Sequence, residues 1–417
     1  MIRHIKSALK RPAPYHMSHL TGDLTAGMIV TFLLIPQSMA YANLAGVPVT
    51  MGLYASAFPL IIYAIFGSSR YLSVGPVSIA SLLTLTGLSG LAVPRSEPFL
   101  QLVVLLSLLV GTIQLLMGLF KFGSFLQYVS SGVINGFISA LAFIIIGHQL
   151  PSLLGVPRPV YNHFSAYIVE LINALPKMHL LTALVGLASL LFLWVVQKTL
   201  RASPGPFIVF LTSIVLVDFF QLNQKGVAIV GRIPRELPHI ALTVSGWDTF
   251  LALVPLAFVI AFISFFESFS VAQSLADRKQ ERLSANRELA GLGFANITSF
   301  VVGTIPVSGA ISRTAVNYAS GAKTKLSVVF SALFMLVAIL YMTPLFYYLP
   351  KATLAAIIIF AVFNLIHIRQ LTYYLKHDLY QAVVFLATLF TTFMIGIIQG
   401  LLIGIIVSAV IKGTRVQ

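Results

Sequence analysis

The sequence predicts an all-α polytopic membrane protein, and three observations carry that prediction. Of 417 residues, 58% are hydrophobic and only 9% are charged, whereas a soluble domain carries roughly 25% charged residues. Mean hydropathy is +0.96. The apolar residues fall in blocks close to the length of roughly 20 residues that a membrane-spanning helix needs. These blocks run nearly end to end, so no linker divides the chain into soluble domains.

Residues 1–20 are basic but lack the apolar core and small-residue cleavage site of a signal peptide. They read as a short amphipathic piece on the cytoplasmic headgroup surface. Residues 21–417 form one transmembrane domain. In order, the candidate spans are 24–41, 52–66, 76–91, 99–119, 125–147, 180–196 and 206–220. The series continues with 250–275, 285–302, 310–319, 326–342, 352–366, 380–395 and 397–411. That makes fourteen, several of them too short to cross as ideal helices.

Fourteen spans put both termini on one side. Of the 26 Lys and Arg residues, eighteen fall on the terminal side and seven opposite, among them Arg232 and Arg235, with Arg313 left over. The positive-inside rule then assigns both termini to the cytoplasm of a plasma or inner membrane. The same scatter at span ends explains the net charge of +15 without a nucleic-acid partner, because no basic patch is formed. The chain has no cysteine, which excludes disulfides and thiolate metal sites. No metal-ligand spacing, phosphate loop or nucleophile motif occurs, so neither an enzyme nor a cofactor is expected.

Two segments break the pattern at matching places. The third span follows the Gly75-Pro76 break, and the tenth follows the Gly303 to Gly309 stretch with Pro306 inside it. Each is third in a set of seven, and an odd repeat length inverts the second copy. Half-helices in corresponding positions point to a transporter's binding site, since backbone broken at membrane depth must be buried in protein or line a cavity. A pair of surface loops is the plainer alternative.

Two charged residues stand inside this frame. Arg313 occupies the first turn of the tenth span, just after Ser312, where the helix dipole repels a cation. An anion bridging the helix end and the guanidinium makes the arrangement favourable; snorkelling or pairing with a carboxylate is the other reading. Glu267 lies deep in the eighth span, where a carboxylate is costly and so is a functional candidate. Ser264, Glu267 and Ser274 form a polar stripe at helical spacing. Glu267 can exchange a proton, hold a sodium ion, or serve as a static partner of Arg313. Asp218 reads as solvated at the outer end of the seventh span. His148 closes the fifth span beside Gln149 and Pro151, as an interfacial side chain.

The motifs are specific enough to suggest a family. IPQSMAYANLAGVPVTMGLYASAFP at 35–59 and FGSSRYLSVGPVSIASLL at 66–83 resemble the signature of the sulfate permease (SulP) family, also called solute carrier family 26. VGRIPRELP at 230–238, ESFSVAQSLADR at 267–278, and the long run at 286–327 follow in the family's order.

The resemblance implies seven-plus-seven inverted repeats sorted into a core (about 21–120 and 249–343) and a gate (about 125–220 and 350–412). An anion would bind between the N-termini of spans three and ten. Gln37 and Tyr41 would line the pocket, Val77 and Ser78 would open the third helix, and Ser312 and Arg313 the tenth. Glu267 falls at the family's cation-coupling position, where sodium-using members tend to carry aspartate, so glutamate points to protons. The family continues into a cytoplasmic STAS domain, and this sequence ends at Gln417 without one. A homodimer is therefore left open.

The expected activity is secondary active transport of a small inorganic or organic anion (sulfate, bicarbonate or dicarboxylate class) by proton-coupled symport, with sodium as the other coupling ion considered. The core would slide against the gate in an elevator-like cycle. The alternatives are an anion exchanger and a channel or motor-like protein.

Overall fold

The computed structural model describes residues 16–124, 129–159, 164–199, 204–234 and 246–414. Most of the basic N-terminal segment, Arg235 and part of the 230–238 motif lie outside these residues.

The chain divides into two compact units. The first comprises residues 1–124, 196–214 and 230–349, and the second 125–195, 215–229 and 350–417. The chain as a whole is helical. Its described helices are α1 (Leu20–Leu44), α2 (Val49–Ala55), α3 (Phe58–Phe66), α4 (Ser78–Leu88), α5 (Glu97–Leu119), α6 (Ser131–Leu154), α7 (Phe164–Ala174), α8 (Leu180–Thr199) and α9 (Gly205–Phe219). Then come α10 (Trp247–Lys279), α11 (Ala285–Val302), α12 (Ile311–Ala319), α13 (Leu326–Val337), α14 (Lys351–Phe363), α15 (Ile368–His377), α16 (Leu379–Met394) and α17 (Ile397–Thr414). Among the described residues eight helical segments are long and apolar enough to cross a membrane, and α4, α9, α16 and most of α17 are shorter apolar helices.

In the first unit the helix ends follow local rules. Ser96 caps α5 by accepting from Phe99 N–H at 3.4 Å, with Glu97 and Pro98 in the first turn, a favourable N-terminal set. Gly303 ends α11 in the left-handed region at φ +71°, as a glycine after a helix does without a Cβ penalty. Helices α5 and α11 touch backbone to backbone. A Cβ on Gly111 would come within 2.8 Å of the Gly293 carbonyl, and one on Gly293 within 2.9 Å of the Gly111 carbonyl. Small residues are how membrane helices approach this closely.

Two buried acids fasten loops to this unit. Asp23, in the first turn of α1, accepts from Lys323 N–H (2.7 Å), Thr324 N–H (2.9 Å) and the Thr324 hydroxyl (2.6 Å). Glu288, near the start of α11, accepts from the Tyr63 hydroxyl, Ser68 N–H (2.9 Å) and the Ser68 hydroxyl (2.5 Å). Lys325, in the connection before α13, donates to the Gly67 carbonyl at 2.5 Å. Burial, then the neighbouring Arg287, pulls its amine down to about 8.

The broken segments meet in a two-residue antiparallel ladder. β1 (Val74–Gly75) pairs with β2 (Ser308–Gly309), with Val74 opposite Gly309 and Gly75 opposite Ser308. Further bonds extend it: Ala310 N–H to Ser73 O (3.1 Å), Ser73 N–H to Thr314 Oγ1 (3.1 Å), and Asn317 Nδ2 to Tyr71 O (2.9 Å). No water is available at membrane depth to satisfy such backbone, so protein groups do it.

In the second unit α6 packs on α16, where a Cβ on Gly136 would meet the Phe385 carbonyl at 2.4 Å. The fifth span needs correction. The helix begins at Ser131, after the Ser130 cap, and runs past Gly147 to Leu154, ending at Gly155 with φ +67°. His148 therefore does not close the helix at an interface. It is buried within it and stacks on Tyr167, 4.6 Å between ring centroids. A polar His-Gln pair followed by Pro151 looks like a terminus in sequence; here the tertiary environment buries it.

Candidate functional site

The first unit alone carries every residue singled out for binding or coupling. Helices α4 and α12 have eleven and nine residues, about 1.5 Å of rise each, so each covers roughly half of a hydrocarbon core about 30 Å thick. Both begin just beyond the β1–β2 ladder. Their N-caps are Val77 (φ −135°, ψ 155°) and Ala310 (φ −106°, ψ 132°), and neither gives a side-chain capping bond. Val and Ala have no acceptor to offer, so the first-turn N–H groups of both helices lack that partner.

Arg313 is wholly buried, with 0% exposure. Its Nη1 donates to Gln37 Oε1 at 3.2 Å and to the Pro76 carbonyl at 3.0 Å. Its Nε and Nη2 are buried with no hydrogen-bond partner. A guanidinium has five N–H donors, so most of its hydrogen-bonding capacity is uncommitted. Gly75 packs close beside it: a Cβ there would sit 3.3 Å from Nη2, so the guanidinium would have to give by a few tenths of an ångström.

Tyr41 and Glu267 are buried near this guanidinium, and all three groups are within electrostatic reach of one another. Glu267 Oε2 is buried and makes no hydrogen bond. Among the described residues Arg70 and Glu281 form an ion pair at 3.5 Å, whereas Glu267 and Arg313 do not approach that closely. Gln37, Val77 and Ser78 are also buried; Ser312 is exposed, unlike its neighbour Arg313.

The polar stripe on α10 differs from the spacing argument. Ser264 and Glu267 are buried, but Ser274 is exposed. Near the end of α10 the buried side chains are Ala272, Leu275 and Ala276; at 100° per residue Ala272 and Ala276 lie almost opposite Ser274 and Leu275 about a quarter-turn away. Ser268 takes its place. Its hydroxyl lies 3.0 Å from Ser308 Oγ and accepts from Gly309 N–H at 2.8 Å, holding β2.

Sequence reasoning also missed the support behind the site. Asn296 accepts from Val307 N–H (2.8 Å) and donates to Val307 O (3.0 Å) and to Gln114 Oε1 (2.9 Å). Gln114 donates in turn to Ala261 O at 3.2 Å. Polar side chains in the apolar fourth and ninth spans were the available signal.

The profile of the sulfate permease family matches residues 20–388. The chain belongs to the sulfate permease family. As a family member it is a multi-pass membrane protein. It is 35% identical over 393 residues to "Sulfate transporter 4.1, chloroplastic" of Arabidopsis thaliana, an alignment covering 92% of this chain and 57% of that protein. The chain thus spans somewhat more than half of that relative's length. Among solved structures it superposes on SLC26A9 with a TM-score of 0.91 at 22% identity, covering 100% of this chain and 69% of that one. The transmembrane domain of the cyanobacterial bicarbonate transporter BicA gives 0.79 at 23% identity, covering 94% of this chain and 98% of that one. These structural likenesses are of fold.

Proposed function

We propose that this sulfate permease family chain is a secondary carrier for a small anion, which binds between the N-termini of α4 and α12. One observation carries the reading: a fully buried guanidinium with two nitrogens uncommitted, beside two helix N-termini whose caps provide no acceptor. A charge buried in hydrocarbon is unstable without a partner. An anion with several acceptor oxygens answers both needs, bonding Nε and Nη2 as a bidentate ligand and meeting the open N–H groups at positive dipole ends. Gln37, Tyr41, Ser78 and Ser312 would supply neutral donors around it. The names of the relatives, sulfate and bicarbonate transporters, fit an oxyanion substrate.

The inverted-repeat reading has support in the ladder. An antiparallel pair has a local two-fold axis. The offset that carries Val74 and Gly75 onto Ser308 and Gly309 also carries Ser78 onto Ser312, lays α1 over α10, and lays the α2–α3 pair over α11. Seven-plus-seven repeats of this kind suit alternating access. The first unit would act as the core and the second as the gate, in an elevator-like cycle in a plasma or inner membrane with cytoplasmic termini. Glu267, buried with an uncommitted Oε2, is the proton carrier in this scheme. It would load a proton with the anion and so reduce the charge moved across the bilayer.

An exchanger with a static Glu267 is the second reading, favoured by the electrostatic attraction between Glu267 and Arg313 across the site. Liposomes containing the purified protein decide the matter. Labelled sulfate, bicarbonate and a dicarboxylate are offered with and without an inward proton gradient. Concentrative uptake driven by the gradient is the expected result. Uptake only against internal anion would favour exchange, and steady single-channel current would overturn the carrier reading.

A further inference from the structure

Helix α15 carries three distinct faces. Leu371 and Tyr374 turn inward onto Ala382 and Phe385 of α16, and the Tyr374 hydroxyl donates to Ser131 Oγ at 2.9 Å and accepts from Asn135 Nδ2 at 3.1 Å on α6. The helix therefore cannot roll its outer surface into the protein. On that outer surface Ile368 and Leu375, seven residues apart, are 60% and 51% exposed. Arg369 and Lys376, also seven apart, form the adjoining stripe and are exposed. Tyr373 and His377 complete the polar side, stacked at 4.5 Å. At 100° per residue the order around the axis is anchored, apolar, basic.

The chain also fixes where this surface lies. Four residues separate α15 from α14 and one separates it from α16. Together α14 and α15 make up residues 351–377, a segment long and apolar enough to cross a membrane, with α15 as its polar end carrying Arg369, Lys376 and His377; α16 is an apolar helix. Four residues reach at most about 14 Å, so α15 stays at the level of the membrane surface. The Tyr380 hydroxyl, at the start of α16, donates to Ser408 O near the end of α17 at 3.1 Å, which puts α15 on the side of the chain's C-terminal end.

We propose that α15 is an interfacial binding surface for anionic phospholipid. Ile368 and Leu375 enter the acyl boundary, and Arg369 and Lys376 hold the headgroup charge. A helix lying in the interface has this division of faces, and tyrosine is at home at headgroup depth. A protein partner with an apolar groove would use the apolar stripe but leave the basic one without a counter-charge. Each basic residue near a negatively charged leaflet strengthens binding by about fivefold.

The test uses the full chain in nanodiscs of phosphatidylcholine with and without phosphatidylglycerol. Because the chain has no cysteine, Leu375→Cys carries an environment-sensitive fluorophore at a single site. The expected result is quenching by lipids brominated near the headgroup. Native mass spectrometry should find phosphatidylglycerol enriched on the protein, and Arg369→Gln with Lys376→Gln should cut that enrichment at least fivefold. Both substitutions are at exposed positions, so the fold is retained. A label open to aqueous iodide, or lipid enrichment unchanged by the double substitution, overturns the proposal. So does protection of the label that appears only in discs holding two copies, because a second copy of the chain would then be the occupant.

Discussion

Arg313 and Gln37 form a hydrogen bond of 3.2 Å between two helices far apart in sequence, and the bond engages only the Nη1 end of the guanidinium. Gln37 therefore orients the cation without neutralising it. Nη2 and Nε are left for another acceptor.

Arg313→Ala is expected to lower anion affinity and uptake at least tenfold in a protein that remains monodisperse. A hydrogen bond to a charged group is worth about 1.5–3 kcal/mol, and two are at stake. Equilibrium binding of labelled anion to the purified variant checks this, and near-wild-type binding would refute it. Gln37→Ala should show a smaller loss, since it frees the guanidinium to shift and removes no charge.

Glu267→Gln is expected to abolish the response of uptake to an inward proton gradient while anion binding and exchange persist. Glutamine keeps the shape and polarity but cannot ionise, so the site stays in its proton-loaded form. Liposome uptake at matched internal anion measures both properties. Accumulation that still follows the gradient would remove Glu267 from coupling; wild-type uptake that needs sodium and ignores pH would make it a sodium site.

The site was legible in sequence to the extent that its parts violate membrane rules. Arg313 and Glu267 are charges within apolar spans, and Gly75-Pro76 and Pro306 are helix breakers, so each is visible alone. The Pro76 carbonyl as a ligand of Arg313 was not visible, because a backbone acceptor leaves no trace in residue type. Ser268 and Ser274 are the same residue on the same helix, and only the neighbours that bury one face tell them apart. Helices α7 and α15 were missed for a related reason: a search for apolar runs passes over helices whose apolar residues form a single stripe.

Asp23→Ala should lower the apparent melting temperature by several degrees and do so without touching the anion site. It removes the acceptor of the Lys323 and Thr324 N–H groups and of the Thr324 hydroxyl, three part-buried bonds, each worth about 1 kcal/mol, more where the acceptor is charged. Asp23→Asn, which retains an acceptor oxygen, should lose less. A fluorescence-detected thermal shift in detergent makes the comparison.

Lys325 predicts a pH dependence of stability. Burial lowers its amine from the ordinary lysine value of 10.5 to about 8 in the folded protein. Between about pH 8 and 10.5 the unfolded chain binds the proton that the folded chain has released, so this residue's contribution to stability rises with pH across that window. Below pH 8 both states are protonated and the slope vanishes. Thermal shifts from pH 7.5 to 10 should display the rise, and Lys325→Met should flatten it.

Topology is open to single-cysteine labelling. Gln224→Cys and Arg282→Cys replace exposed residues on the two faces assigned from the distribution of Lys and Arg. A membrane-impermeant maleimide should label the first in intact cells and the second only after lysis. The opposite result would invert the orientation.

The ladder joining Val74 and Gly75 to Ser308 and Gly309 sets a further condition on selectivity. Drawing α4 away from α12 would sever the ladder along with the Ala310–Ser73, Ser73–Thr314 and Asn317–Tyr71 bonds, where no water can replace them. The gap between the two helix ends is thus a gauge of fixed width, held by backbone instead of by adjustable side chains. An ion too wide for that gauge would be rejected by the hydrogen-bonded backbone, and one too narrow would bond to only one end at a time. Substitutions lining the pocket would then retune how tightly an ion is held more readily than how large an ion is admitted.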